Sequence, residues 1–229
     1  MSMPGAPLAR RPLHFIWMLD CSGSMNEDNK IQTLNAAIHE ALPHARDVAS
    51  ENPNAELLMR AISFSDGARW VVPVPTPVES FTWNPISADG LTDMGAAFSM
   101  VADQLRVPPM SKRALPPVLV LVSDGGATDN WKEGLGKMMA EPWGQKAVRI
   151  AIAIGKNCDM DLLQAFIQSS EIKPLTASNP EALIRLIRWV SVEVVKSAST
   201  PASQTRNTPA PAGNVPVPPP PEVDAAEIW

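Results

Sequence analysis

Leu13-His14-Phe15-Ile16-Trp17-Met18-Leu19, followed by Asp20-Cys21-Ser22-Gly23-Ser24-Met25, is the stretch that decides the fold. Its first seven residues form an almost unbroken apolar run between Pro12 and Asp20. A run that short, bounded by a proline and a charge, reads as a strand buried on both faces. A carboxylate and two hydroxyls around a glycine follow at once. An apolar strand ending in such a turn fits an α/β sheet, where ligands bind beyond the carboxyl ends of the strands. Arg10 and Arg11 imitate the start of a signal peptide, but the run is short and Asp20 ends it without a small-residue cleavage site.

Outward from this stretch, apolar strands and amphipathic helices alternate up to residue 196. Ile31, Leu34, Ile38, Ala41, Leu42, Ala45 and Val48 recur at helical spacing, and Pro43 is expected to kink or split that helix. Residues 55–64 and 68–74 read as strands joined tightly through Ser65-Asp66-Gly67, a hairpin. Helices are expected over 94–105, 131–139, 161–169 and 180–195, the last with Leu183, Ile187, Val190 and Val194 on one face. Residues 118–122 are valine and leucine alone, and 148–154, apolar except for Arg149, read as a further strand ending at Gly155. This order predicts a doubly wound α/β domain with a mostly parallel sheet, one antiparallel edge strand and helices on both faces.

The domain spans 13–196, after an N-terminal extension over 1–12. Residues 197–229 hold eight prolines, one arginine and no lysine. Such a tail has too few large apolar side chains to offset its ordering entropy, and is expected to be extended and mobile. Its end, Glu227-Ile228-Trp229, reads either as a docking peptide or as a tail end without a partner.

Composition removes several function classes. A net charge of −5 argues against general nucleic-acid binding, which needs clustered Lys and Arg. Two cysteines, Cys21 and Cys158, make neither a disulfide framework nor a four-thiolate zinc site. No apolar run approaches the roughly 20 residues that span a bilayer, so a cytoplasmic chain is expected. No P-loop pattern occurs, and His14, His39 and His44 fall on a strand and a helix rather than together after strands.

Three loops gather at the predicted ligand edge. They are Asp20-Cys21-Ser22-Gly23-Ser24-Met25, Gly90-Leu91-Thr92-Asp93-Met94-Gly95 and Ser123-Asp124-Gly125. Except for Cys21, they offer only carboxylates and hydroxyls, hard oxygen ligands that suit Mg²⁺, with Mn²⁺ or Ca²⁺ as substitutes. Asp20 and Asp124 would repel each other in a dry cleft without a cation between them. Met25, Met94, Trp83, Asp93 and Trp131 lie beside these loops in sequence. Met25, Asp93, Trp83 and Trp131 are the candidates for contact with a partner, although each tryptophan fits a core position equally well.

Asp-x-Ser-x-Ser after the first strand, a threonine in a middle loop and an aspartate after a later strand resemble the metal-ion-dependent adhesion site of von Willebrand factor A (VWA) domains. All five positions are present: Asp20, Ser22, Ser24, Thr92 and Asp124. The resemblance covers about residues 13–195. It implies that Ser22, Ser24 and Thr92 ligate the ion directly or through water, and that Asp20 and Asp124 hold waters and hydroxyls around it. It also implies that an acidic side chain of a partner completes the coordination, in a non-enzymatic protein-interaction module. Leu91-Thr92-Asp93-Met94-Gly95-Ala96-Ala97 and Thr128-Asp129-Asn130-Trp131 further resemble the bacterial tellurium-resistance TerY-like branch. Members of that branch are associated with a PPM-type protein phosphatase and a serine/threonine kinase, which implies a signalling or stress-response setting. Some members end in a zinc ribbon; here the tail holds no cysteine.

Two other readings stay open. A haloacid-dehalogenase-type phosphohydrolase would use Asp20 as a nucleophile beside Mg²⁺. That chemistry wants a second carboxylate two residues on, where this chain has Ser22. In the other, the chain is a scaffold that acts through its tail.

Overall fold

β1 (Arg11–Asp20) is buried from Leu13 onward, because both of its faces meet apolar layers. In the computed structural model, which describes residues 10–199, 215–223 and 229, its alternate side chains enter two different cores. Leu13, Phe15, Trp17 and Leu19 join one, and Ile16 and Met18 join the other. A strand that serves two cores cannot show polar alternation, which is why its sequence is an apolar run broken only by His14.

The elements that follow are α1 (Lys30–Glu51), β2 (Ala55–Ser65), β3 (Gly67–Pro77), α2 (Met94–Gln104) and β4 (Val118–Ser123). Then come α3 (Trp131–Ala140), α4 (Pro142–Lys146), β5 (Val148–Ile154), α5 (Met160–Ile167), β6 (Leu175–Ala177) and α6 (Pro180–Trp189). A π-helical stretch, Val190–Val194, leads from α6 into α7 (Val195–Ser199). The six strands lie in the order β3-β2-β1-β4-β5-β6. All neighbours are parallel except β2 and β3, which pair antiparallel through a connection at Asp66. The expected doubly wound fold with one antiparallel edge strand is what the structure shows.

Strand order reverses at β1, with β2 on one side and β4 on the other. The loops after β1 and β4 therefore open onto the crevice where such sheets take ligands. α2 and α3 approach closely on one face of the sheet. A β-carbon on Gly134 would lie 2.2 Å from the carbonyl oxygen of Gly95, so only glycine fits there.

Three differences from the sequence-based expectation have physical causes. α1 is not split at Pro43: a single helix runs through it. Pro43 and His39, whose carbonyl the proline leaves unpaired, are both exposed, so water can solvate that group. Meanwhile Leu34, Ile38, Ala41, Leu42 and Ala45 hold the helix on the sheet. β6 was not foreseen, because three residues carry too little periodicity. The tail also departs in part. Residues 200–214 and 224–228 lie outside the described residues. Val215, Val217, Val223 and Trp229 pack against the α1-side core. Ser197 Oγ donates to the Pro216 carbonyl, and the Trp229 backbone N–H to Ser178 O at 3.2 Å. Counting prolines overlooked these four apolar residues, which bury some surface at small entropic cost because the intervening prolines are already extended.

Buried on the other face of β1, His14 has Nδ1 without a hydrogen-bond partner. Burial, with a smaller effect of the Arg60 charge, lowers its pKa to about 4. The unfolded chain binds a proton near 6.5 that the folded chain rejects. Stability is therefore whole above pH 6.5 and falls as pH drops toward 4, by about 3 kcal/mol from this residue. Urea unfolding at pH 7 and pH 4.5 checks this: His14→Leu is expected to lose much less stability on acidification than the wild type.

Candidate metal centre

The site begins where β1 runs out. Asp20 is fully buried at the strand end, and its Oδ1 accepts the backbone N–H of Ser22 at 2.8 Å. Its Oδ2 accepts the Ser123 hydroxyl at 2.5 Å. Ser22 Oγ and Ser24 Oγ are 3.1 Å apart, and Ser24 Oγ donates to Asp124 Oδ1 at 2.7 Å. One hydrogen-bonded chain thus links the loop after β1 to the end of β4. Asp20, Ser22 and Asp124 are buried, whereas Gly23 is exposed and Ser24 partly so. The cluster opens to solvent on that side.

The third loop is tied to the first by main-chain bonds. Gly23 N–H donates to Gly90 O at 3.0 Å, and Asp89 N–H to Cys21 O at 2.8 Å. Gly90 has φ +82°, and a β-carbon there would lie 2.7 Å from Asp66 Oδ1. That carboxylate accepts the N–H of Leu91 at 2.8 Å, so the turn needs glycine. Thr92 is held by its backbone. Its N–H donates to Thr128 Oγ1 and its carbonyl accepts Thr128 N–H, both at 3.0 Å. The structure therefore joins Asp20, Ser22, Ser24 and Asp124 in one cluster and sets Thr92 on a loop laced to the cluster's first loop.

The two segments that carried the finer resemblance hold each other. Asp129 accepts the N–H groups of Gly95 at 2.9 Å and Ala96 at 2.8 Å, capping α2 from a distant loop. Thr128 Oγ1 also donates to Asp93 Oδ1 at 3.0 Å. Asp129→Ala is expected to cost about 1–2 kcal/mol by removing two charge-assisted caps. Faster hydrogen exchange at the Gly95 and Ala96 amides would locate that loss at the threonine loop.

Electrostatics at the cluster follow from burial. Burial, the largest effect, raises the Asp20 carboxyl above the ordinary range; the nearby Asp124 charge adds to it, and hydrogen bonds from Ser123 and Ser22 oppose it. Cys21 is pushed up to about 12 by burial and by Asp20, so it is an inert filler rather than a thiolate. Cys158, likewise pushed up to about 12, donates to Ser123 O at 3.1 Å behind the site.

Lys30, a residue that sequence reasoning passed over, completes the charge pattern. Its Nζ lies 2.8 Å from Asp124 Oδ2, with side chains 7% and 0% exposed. No spacing rule links positions 30 and 124; only the fold brings them together. Among the described residues, no group of three or more His, Cys, Asp or Glu side chains could hold a metal. The donor set here is instead two buried carboxylates with serine and threonine hydroxyls. That set fits a hard divalent cation, because two close buried carboxylates call for positive charge.

Two of the expected partner contacts, Met25 and Trp83, need correction, whereas Asp93 and Trp131 stay partly exposed. Met25 and Met94 are fully buried and Trp83 is 7% exposed, its Nε1 donating to Asn35 Oδ1 at 3.1 Å. Their apolar bulk is used in the core, so they offer no surface to a partner. Asp93 is engaged internally, accepting Gly67 N–H at 2.8 Å besides Thr128. Trp131 is partly buried against the α2-side core, with Lys132 Nζ 5.6 Å above its ring. The exposed apolar residues near the site are Leu91, beside Thr92, and Met160, next to Asp159, whose N–H faces Gly125 O at 3.5 Å. Their exposure, 57% and 43%, could not be read from residue type.

No protein-family model matches the chain. A search of curated proteins finds no match either. Solved structures do share its fold. Proximal thread matrix protein 1 from the mussel byssus, with a zinc-occupied MIDAS motif, is 17% identical at a TM-score of 0.61. The ArnB paralog VWA2 from Sulfolobus acidocaldarius is 15% identical at 0.59, and a von Willebrand factor type A protein from Catenulispora acidiphila 16% identical at 0.58. They cover 82%, 78% and 81% of this chain, which spans 48%, 44% and 43% of theirs. The chain thus spans less than half of the length of each of these structures. At such identities the likeness establishes the fold, which is that of a VWA domain.

Proposed function

We propose that this chain is a divalent-metal-dependent protein-interaction module that captures an Asp or Glu side chain of its partner. One observation carries the reading: Asp20, Ser22, Ser24 and Asp124 form a single buried cluster at the point where strand order reverses, open at Ser24. Ser22, Ser24 and Thr92 would hold the ion, with Asp20 and Asp124 orienting hydroxyls and water. When bound, the ion supplies a concentrated positive charge for an incoming carboxylate. Mg²⁺ is the ion we favour for this oxygen-only set, with Mn²⁺ or Ca²⁺ as alternatives; the zinc in the mussel protein's motif supports a divalent site more generally. Leu91 and Met160 would flank the contact with apolar surface.

The finer setting rests on the TerY-like resemblance of 91–97 and 128–131. We place the chain in a bacterial, cytoplasmic signalling or stress-response system, including tellurium resistance, with a serine/threonine kinase or PPM-type phosphatase as partner. Among the described residues, no helix is long and apolar enough to cross a membrane. A phosphohydrolase reading is disfavoured by Asp20 itself: both carboxylate oxygens accept hydrogen bonds and the residue is fully buried, so neither oxygen is free to attack phosphorus.

Calorimetry with Mn²⁺ and Mg²⁺ tests the metal, and an array of Asp- and Glu-containing peptides with their Asn and Gln counterparts tests the ligand. Metal binding is expected in the wild type and a loss of roughly tenfold or more in Thr92→Ala. Peptide capture is expected only with metal and only with the acidic series. Capture that persists in EDTA, or a wild type that binds no divalent ion, would overturn the reading.

A further inference from the structure

Lys30 is the first residue of α1, a helix of 22 residues with no acidic side chain in its first turn. A cation there opposes the helix macrodipole, which favours negative charge at the N-terminus. The preceding chain is strained as well. Asp28 and Asn29 have φ +50° and +59°, consecutive left-handed residues without a glycine. Helix formation alone explains neither feature. What they accomplish is delivery of the Lys30 ammonium to Asp124 Oδ2, at 2.8 Å in a buried pair.

The other buried cationic groups, the guanidinium groups of Arg60 and Arg149, have different partners. Arg60 donates to Gln104 Oε1 and lies over the Trp70 ring, and Arg149 donates to the carbonyls of Gly144 and Ile167. Lys30 is therefore the buried basic residue, among those described, that pairs with a carboxylate of the cluster. Two buried carboxylates and one ammonium leave the cluster about one charge short of neutrality when Asp20 is ionised, and the exposed Glu27 carboxylate, 4.0 Å from the same ammonium, adds further negative charge at its edge. A second cation is thus admitted, but against the charge already there.

We propose that Lys30 is an internal competitor for the divalent ion. Resting on the metal reading above, the inference adds how the site is regulated. The ammonium compensates Asp124 when metal is scarce, so the domain stays folded without it. The same charge weakens metal binding, so loading becomes a response to metal level rather than a permanent state.

The test uses the full chain. Mn²⁺ affinity is measured by calorimetry for the wild type, Lys30→Met and Lys30→Gln, with thermal unfolding in EDTA and in saturating Mn²⁺. Lys30→Gln can still donate to Asp124 without the charge, so it carries the comparison should Lys30→Met fail to fold. Removing the charge is expected to tighten Mn²⁺ binding by roughly tenfold or more, to lower the unfolding temperature in EDTA, and to enlarge the rise on adding Mn²⁺. Measurable binding that is equal or weaker in both variants would overturn the competitor role and leave the metal reading intact. Absence of Mn²⁺ binding in wild type and variants alike would overturn both.

Discussion

Asp124→Ala is expected to abolish divalent-metal binding and to destabilise the domain by about 3 kcal/mol even in EDTA. The second effect separates this residue from an ordinary metal ligand. Truncation leaves the Lys30 ammonium, 7% exposed, without its buried carboxylate and with the 70%-exposed Glu27 carboxylate 4.0 Å away, where water screens it. Breaking a buried pair from one side is costly because the remaining charge stays desolvated. The double variant Lys30→Met/Asp124→Ala removes both charges and is expected to recover a good part of that loss, while still binding no metal. Urea unfolding of the four proteins in EDTA completes the cycle. If the two single losses simply add in the double variant, the pair contributes nothing of its own and the buried-charge argument is wrong.

Gly134→Ala is expected to be damaging from a distance. The added methyl would sit 2.2 Å from the Gly95 carbonyl oxygen, a backbone atom that cannot rotate away. α2 and α3 must then separate, and overpacking of this kind typically costs about 1–3 kcal/mol, here at the upper end. The strain reaches the site because the Gly95 N–H is bonded to Asp129, and the neighbouring Thr128 holds Thr92 by two hydrogen bonds. The expected result is a lower urea midpoint together with weaker Mn²⁺ binding. Gly136→Ala, in the same helix but with open space at its β-carbon, serves as the control and is expected to stabilise slightly. Equal behaviour of the two variants would show that the helices do not touch as described.

Much of the architecture was legible because buried parallel strands leave a strong mark. Val118–Ser123 and Val148–Ile154 are buried at every position, and runs of that kind have few alternatives. The hairpin was legible from one tight polar turn. Three-residue β6 was not, and neither was the unbroken course of α1 through Pro43, since packing of the opposite helix face outweighs a local breaker. The docked valines of 215–223 were hidden inside a composition that reads as a free tail.

For the site, residue types and loop order brought Asp20, Ser22, Ser24, Thr92 and Asp124 into view, since hydroxyls and carboxylates placed just after apolar strands have few other uses in combination. Sequence by itself determined those oxygen donors and the sheet that carries them, because strand burial and turn chemistry are local properties. Only the tertiary structure decided what stands around them. Met25 and Trp83 turn inward, Leu91 and Met160 outward, and Lys30 meets Asp124 across 94 residues of chain. Burial and charge pairing depend on which distant segments close over a residue, and no local pattern encodes that.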